Sequence, residues 1–262
     1  MTATVTRPAV GEMLRQWRQR RRLSQLELSI RADISTRHLS FVETGRSVPS
    51  REMVLQLADR LDLALRDRNR LLLAAGYAPV YPENALDAPP MTAVRAAIRQ
   101  VLAGHEPYPA VVVDRAWNLV EANGSLSLLT DLVAPGLLAP PANVLRASLH
   151  PDGLAPHIVN LGEWRAHLLH RLARQVEFSG DPQLTALEEE LRGYPGGEPP
   201  APAGAVDSIV VPLRIRRGGT VLNFFTTVAT FGTPLDVTIS ELSIESFYPA
   251  DEATAQALNN RR

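Results

Sequence analysis

The sequence contains no cysteine and no lysine, and only 5% of it is aromatic. The lack of cysteine excludes disulfide staples, thiolate zinc sites and cysteine nucleophiles. The lack of lysine makes every basic side chain an arginine. Genomic base composition accounts for that bias better than selection for bidentate contacts does. No apolar run approaches the roughly 20 residues needed to span a bilayer. The opening stretch, Met1-Thr-Ala-Thr-Val-Thr-Arg-Pro8, lacks the apolar core of a signal peptide. The expectation is a cytoplasmic chain with no membrane partner. Its 262 residues suit two domains, and 45% hydrophobic content excludes wholesale disorder.

The net charge of -1 averages two unlike parts. Residues 1–80 carry 14 arginines against 8 acids, and residues 81–262 carry 13 against 20. An excess of +6 followed by -7 is the pattern of one domain that meets a polyanion and another that does not.

Residues 1–80 read as helical throughout. Helices are expected from about Gly11 to Arg21, from Ser24, from Ser35, from Pro49-Ser50 and from Arg66 to Ala75. Ser24-x-x-Glu27 is a capping box, Ser35 is a good N-cap, and Gly45 and Gly76 stand where helices end. Pro79, Pro82, Pro89 and Pro90 mark a semi-rigid linker, followed by a bridging helix from Met91 to Ala103. The period then changes. Ala110–Asp114 and Trp117–Ala122 predict a hairpin, and Asn123 is placed to cap a helix through about Leu132. Helices are expected near Asn143–Ser148, His157–Gln175 and Pro182–Leu191, then a Gly/Pro/Ala-rich loop at Gly193–Ala205. Three strands close the chain. The first alternates Ile209, Val211, Leu213 and Ile215, the second is Thr220–Phe231, and the third is Val237–Phe247 with a bulge near Glu241. The fold class is α+β, with an all-α head of five helices before an antiparallel sheet with helices on one face. The divisions fall at 1–80, 81–104 and 105–258.

Two helices crossing steeply need a tight turn between them. The usual glycine is here Asp33, and the usual alanine facing the second helix is here Ser29. With Ser24-Gln25, Glu43-x-Gly45-Arg46 and Pro49-Ser50, residues 11–79 resemble the helix-turn-helix domain of the XRE family, the phage-repressor and Cro type. That resemblance implies double-stranded operator DNA as partner and sequence-specific transcription regulation as function. It places Gln25 against a phosphate. It projects Thr36, Arg37 and His38, after Ser35, into the major groove, with Ser40 one turn on. Arg46 and the cluster Arg18, Arg20, Arg21, Arg22 suit phosphates. Such heads act in pairs, so a homodimer is expected.

Pro107-Tyr-Pro-Ala-Val-Val-Val-Asp114, His150-Pro-Asp-Gly153, Asn160-Leu-Gly-Glu-Trp164 and Thr230-Phe-Gly-Thr-Pro-Leu-Asp-Val237 resemble the MmyB-like ligand-binding domain, as does Glu241 through Asp251. The resemblance implies a PAS-like fold and a small, apolar ligand, with a fatty acid as the leading suggestion. Candidate pocket residues are Arg146, His150, His157, Trp164, Phe224, Phe225 and Thr226. Arg146 or a histidine is the partner an acid ligand would want. The working hypothesis is that a ligand repacks this domain against the 91–103 helix and alters the spacing of two heads.

Catalysis is not expected, and no cofactor is called for. His167-x-x-His170 sits on one helix face without a companion carboxylate, so no metal site is expected. No Gly-x-Ser-x-Gly elbow is present, and Gly193-Tyr-Pro-Gly-Gly197 is not a phosphate loop. Asp114, Asn123, Asp152 and Asp236 read as turn and cap residues. Two alternatives stand beside the sensor: a second domain that only dimerises, and an enzyme domain fused to a DNA-targeting head.

Overall fold

The computed structural model describes residues 9–196 and 211–260. The first eight residues, the loop expected at Gly193–Ala205 beyond Gly196, and strand positions Ile209 and Val210 lie outside the described residues. The chain divides into two compact units, Met1–Ala85 with Thr233–Ser240, and Leu86–Gly232 with Glu241–Arg262.

The first unit begins with five helices, α1 (Val10–Arg20), α2 (Gln25–Arg31), α3 (Thr36–Glu43), α4 (Arg51–Arg60) and α5 (Leu65–Ala74). Their starts follow from side-chain caps. Ser24, Ser35 and Ser50 each accept from the amide three residues on, and Glu27 returns the bond to complete the capping box. Each such cap is worth about 1 kcal/mol. Their ends follow from left-handed residues: Asp33 at φ 49° turns α2 into α3, while Gly45 and Gly76 follow α3 and α5. Leu14, Leu28, Leu39, Val42, Leu57, Leu71 and Leu72 form one buried core.

The second unit opens with α6 (Thr92–Gly104), the hairpin β1 (Ala110–Val113) and β2 (Leu119–Ala122), and the short turn α7 (Ser127–Thr130). Then come α8 (Val144–Leu149), α9 (Leu161–Ser179), α10 (Pro182–Gly193), β3 (Leu213–Arg217) and β4 (Thr220–Thr230). The chain closes with the short turn α11 (Val237–Ser240), β5 (Ser243–Pro249) and α12 (Glu252–Asn259). The strands form one antiparallel sheet in the order β2-β1-β5-β4-β3, so the last strand is central. One face carries Val113, Leu213, Ile215, Leu222, Phe224 and Phe247 into the main core beneath α7 to α10. The other face of β1 presents Ala110 and Val112 to Ile98 and Leu102 of α6.

Four local expectations are corrected. The strand expected over Val237–Phe247 begins only at Ser243, because Asp236 Oδ1 accepts from the amides of Thr238 and Ile239 and closes a helical turn there. That turn completes the first unit: Asp236 Oδ2 accepts from Asn84 Nδ2 at 2.8 Å, and the Val237 amide donates to Pro82 O at 2.9 Å. Asn123 does not cap a helix with its side chain. It accepts from the Ala110 amide and donates to Tyr108 O, pinning the start of β1. The helix expected from His157 starts at Leu161, because Ala155–His157 forms a separate 3₁₀ turn. A terminal helix not expected at all, α12, is capped by Asp251 accepting from the Thr254 amide at 2.7 Å.

Candidate functional site

In the first unit, three helices meet on one carboxylate. Arg18 of α1 donates from Nε and Nη2 to the two oxygens of Glu43 on α3, at 2.7 and 2.9 Å. Gln25 of α2 donates to Glu43 Oε2 at 2.8 Å. Only 1% of the Glu43 side chain is exposed. The hydrogen bond to Glu43 pushes the Arg18 guanidinium further above its ordinary range, against the effect of burial. Arg18, grouped with the phosphate contacts from sequence, is therefore an internal strut. Arg21 also turns inward, donating to Leu61 O at 2.9 Å, and stacks with Arg20 over the Trp17 ring.

The start of α3 sorts its polar side chains into two sets. Ser35 caps the helix through the His38 amide, and the Thr36 hydroxyl shares a 2.8 Å hydrogen bond with Ser29 of α2. These two fasten α3 to what precedes it. Arg37 and His38 are exposed, as is Arg46. Arg37 and Arg46 both lie over the Phe41 ring, at 5.3 and 5.9 Å, which gathers two cations on one side of α3. Ser40 is half-buried and its carbonyl accepts from Thr44 Oγ1. Such a surface can read base edges with Arg37 and His38 and hold phosphate with Arg46.

In the second unit, a cavity of about 80 Å³ lies between the sheet and α7 to α9. Its wall is apolar, from Val111, Leu129, Leu145, Leu168, Leu213 and Phe247 among others, and among the described residues four with polar side chains besides Trp164 interrupt it: Thr130, Asn143, Ser148 and Glu245. Of the seven residues expected at a pocket, Trp164 alone lines this cavity. Its indole donates to Ser148 Oγ at 3.0 Å, and its ring stacks on His167. Burial first, then the charges of Arg171 and His170, lowers the His167 pKa and favours its neutral form.

The other six stand elsewhere. Arg146 is bidentate to Glu190 of α10, with both bonds at 2.7 Å. That bond, with a short one from the Tyr194 hydroxyl, holds the Glu190 carboxyl at about 2, while burial and Glu190 push Tyr194 to about 12. His150 sets its ring edge against Tyr194, accepts from the Asp152 amide and lies off the wall. His157 is half-buried in its 3₁₀ turn. Phe224 is fully buried against Phe247, and Thr226 of β4 pairs with Phe247 of β5. Phe225 points to the opposite face and stacks on Tyr248.

The residue that sequence reading missed is Glu245, 8% exposed and on the wall. Its Oε1 accepts from Arg171 Nη1 at 2.5 Å, and the Arg171 guanidinium lies 4.5 Å from the Trp117 ring centre. The signal was available. In β5 the period of two puts Glu245 on the same face as Phe247, and a charge at an inward position is the departure to look for. Trp117 itself is held at φ 67° in the β1–β2 connection, a costly conformation for a large side chain, and donates from Nε1 to Gln175.

A family model for a helix-turn-helix domain matches residues 9–71, and one described as the MmyB-like transcription regulator ligand binding domain matches residues 94–260. No curated protein matches the chain. Among solved structures, the clp gene regulator ClgR from Corynebacterium glutamicum is 24% identical, over 38% of this chain and 94% of that one, with a TM-score of 0.23. An RNA-binding Light-Oxygen-Voltage Receptor is 16% identical, over 99% of this chain and 65% of that one, with a TM-score of 0.28. With more than half of its length matched by the second family model, the chain belongs to the MmyB-like transcription regulators, a helix-turn-helix domain joined to an MmyB-like ligand binding domain.

Proposed function

We propose that this regulator binds an operator sequence as a homodimer in the cytoplasm, reading bases with Arg37 and His38, and that a small apolar molecule in the second unit controls it. The observation that carries the DNA reading is the sorting of the α3 side chains. Ser35 and Thr36 are used to fix the helix, while Arg37, His38 and Arg46 face outward. Arg37 is the candidate for a bidentate guanine contact, worth about 1–3 kcal/mol of discrimination. The test is a binding assay of the Arg37→Ala chain against a selected operator. Loss of sequence preference with non-specific affinity kept supports base reading, and an unchanged preference ends it.

The sensor reading rests on the apolar cavity under the sheet. At about 80 Å³ it is smaller than the roughly 150 Å³ of an apolar cavity known to take up benzene. A ligand the size of a fatty acid therefore has to open the unit on entry. The small volume also favours a second reading, in which the domain only pairs two chains. Native mass spectrometry of the purified full chain separates the two, because a co-purified small molecule is expected of a sensor alone. Neither reading calls for an enzymatic role.

A further inference from the structure

The polar groups on the cavity wall are unlike those of a site for an acid. Asn143 donates one N–H of Nδ2 to Ala116 O and accepts from the Arg146 amide. Ser148 Oγ accepts from the Trp164 indole, and Thr130 Oγ1 is turned to Leu126 O. The one ionisable side chain on the wall, among the described residues, is the carboxylate of Glu245. Two arginines beside wall residues are already matched one to one, Arg171 with Glu245 and Arg146 with Glu190. Among the described residues, no arginine lines the cavity.

We propose that this cavity selects an uncharged apolar molecule bearing a hydroxyl-type hydrogen-bond donor, which donates to Glu245, and that it rejects carboxylates. The inference rests on the reading of the second unit as a ligand sensor. A hydroxyl brought to Glu245 satisfies itself on an acceptor already present and leaves the Arg171 pair intact. A carboxylate faces two costly arrangements. Left beside Glu245, it is a second buried negative charge in an apolar setting. If it takes Arg171 for itself, Glu245 becomes a buried charge without its partner, and breaking such a pair is strongly destabilising. An ammonium group is attracted by Glu245 but repelled by Arg171, so it falls between the two.

The experiment is a calorimetric titration of the full chain at neutral pH with three probes of one chain length: 1-octanol, octylamine and octanoate. The expected order is octanol tightest and octanoate at least tenfold weaker. In Glu245→Gln the repulsion is gone and Arg171 is released, so the preference for octanol over octanoate is expected to shrink tenfold or more. A thermal melt of the variant checks its fold, and the series on the unaltered chain stands without it. Octanoate binding as tightly as octanol in the unaltered chain overturns the head-group inference and leaves the sensor reading standing. Binding by none of the three overturns the sensor reading, and the inference falls with it.

Discussion

The Glu43 carboxylate takes both donors of the Arg18 fork and the Gln25 amide at once, so one buried anion joins α1, α2 and α3. Removing it leaves the Arg18 guanidinium buried without a counter-charge. Glu43→Ala is expected to destabilise the first unit by about 3–5 kcal/mol. Urea unfolding of the full chain, followed by circular dichroism, measures this. Arg18→Met combined with Glu43→Leu should recover most of the loss, since an apolar pair carries no desolvation penalty. A double variant as unstable as Glu43→Ala would contradict the account.

Gly11 lies inside α1, where alanine is normally better by about 1 kcal/mol. Here a Cβ would overlap the Val42 carbonyl oxygen and lie 2.9 Å from that of Glu43, both backbone atoms of α3. Gly11→Ala is therefore expected to reverse the usual sign and cost about 1–3 kcal/mol, the range for an overpacked core. Thermal melting gives the sign directly, and DNA affinity is expected to fall with it because α3 is the element displaced.

Arg46 lies beyond the end of α3 and shares the Phe41 ring with Arg37. As a phosphate contact it carries no sequence information. Arg46→Ala should weaken binding to specific and non-specific duplexes by similar factors. It should also reduce the slope of log affinity against log salt by about 1. A change confined to the specific operator would assign Arg46 to base reading instead.

Glu190 predicts a pH dependence. Its carboxyl is held at about 2 by Arg146 and Tyr194, below its unfolded value near 4.3. A depressed acid contributes stability above its unfolded pKa and loses it as pH falls through the folded one. Stability of the second unit is thus expected to decline between about pH 4.3 and 2. The pair is partly exposed and screened, so the contribution at pH 7 is on the order of 1 kcal/mol. Acid titration of Arg146→Gln should show this part of the decline shrinking.

The sequence was most legible where local chemistry sets local structure. Ser24, Ser35 and Ser50 announce three helix starts because each cap uses an amide only three residues away. It was least legible where a side chain reaches across the chain. Val237-Thr-Ile239 has the composition of a strand, but Asp236 closes it into a turn and ties it to Asn84. Asn123 reads as a cap by type and is instead held by Tyr108 and Ala110. The cavity was the hardest to foresee. Arg146, His150 and Phe224 all have the right chemistry and lie on nearby elements, yet Glu190, Tyr194 and Phe247 engage them first.

Gly11 also bears on how a signal can reach DNA. With the backbone of α1 resting directly on α3 and one buried anion bolting three helices together, the tilt of the reading helix is not an adjustable quantity. Under the proposed dimeric reading, the grip on a half-site is set when the first unit folds. Control in that reading acts on where each grip is carried along the duplex and how many arrive together, rather than on how tightly any one of them closes.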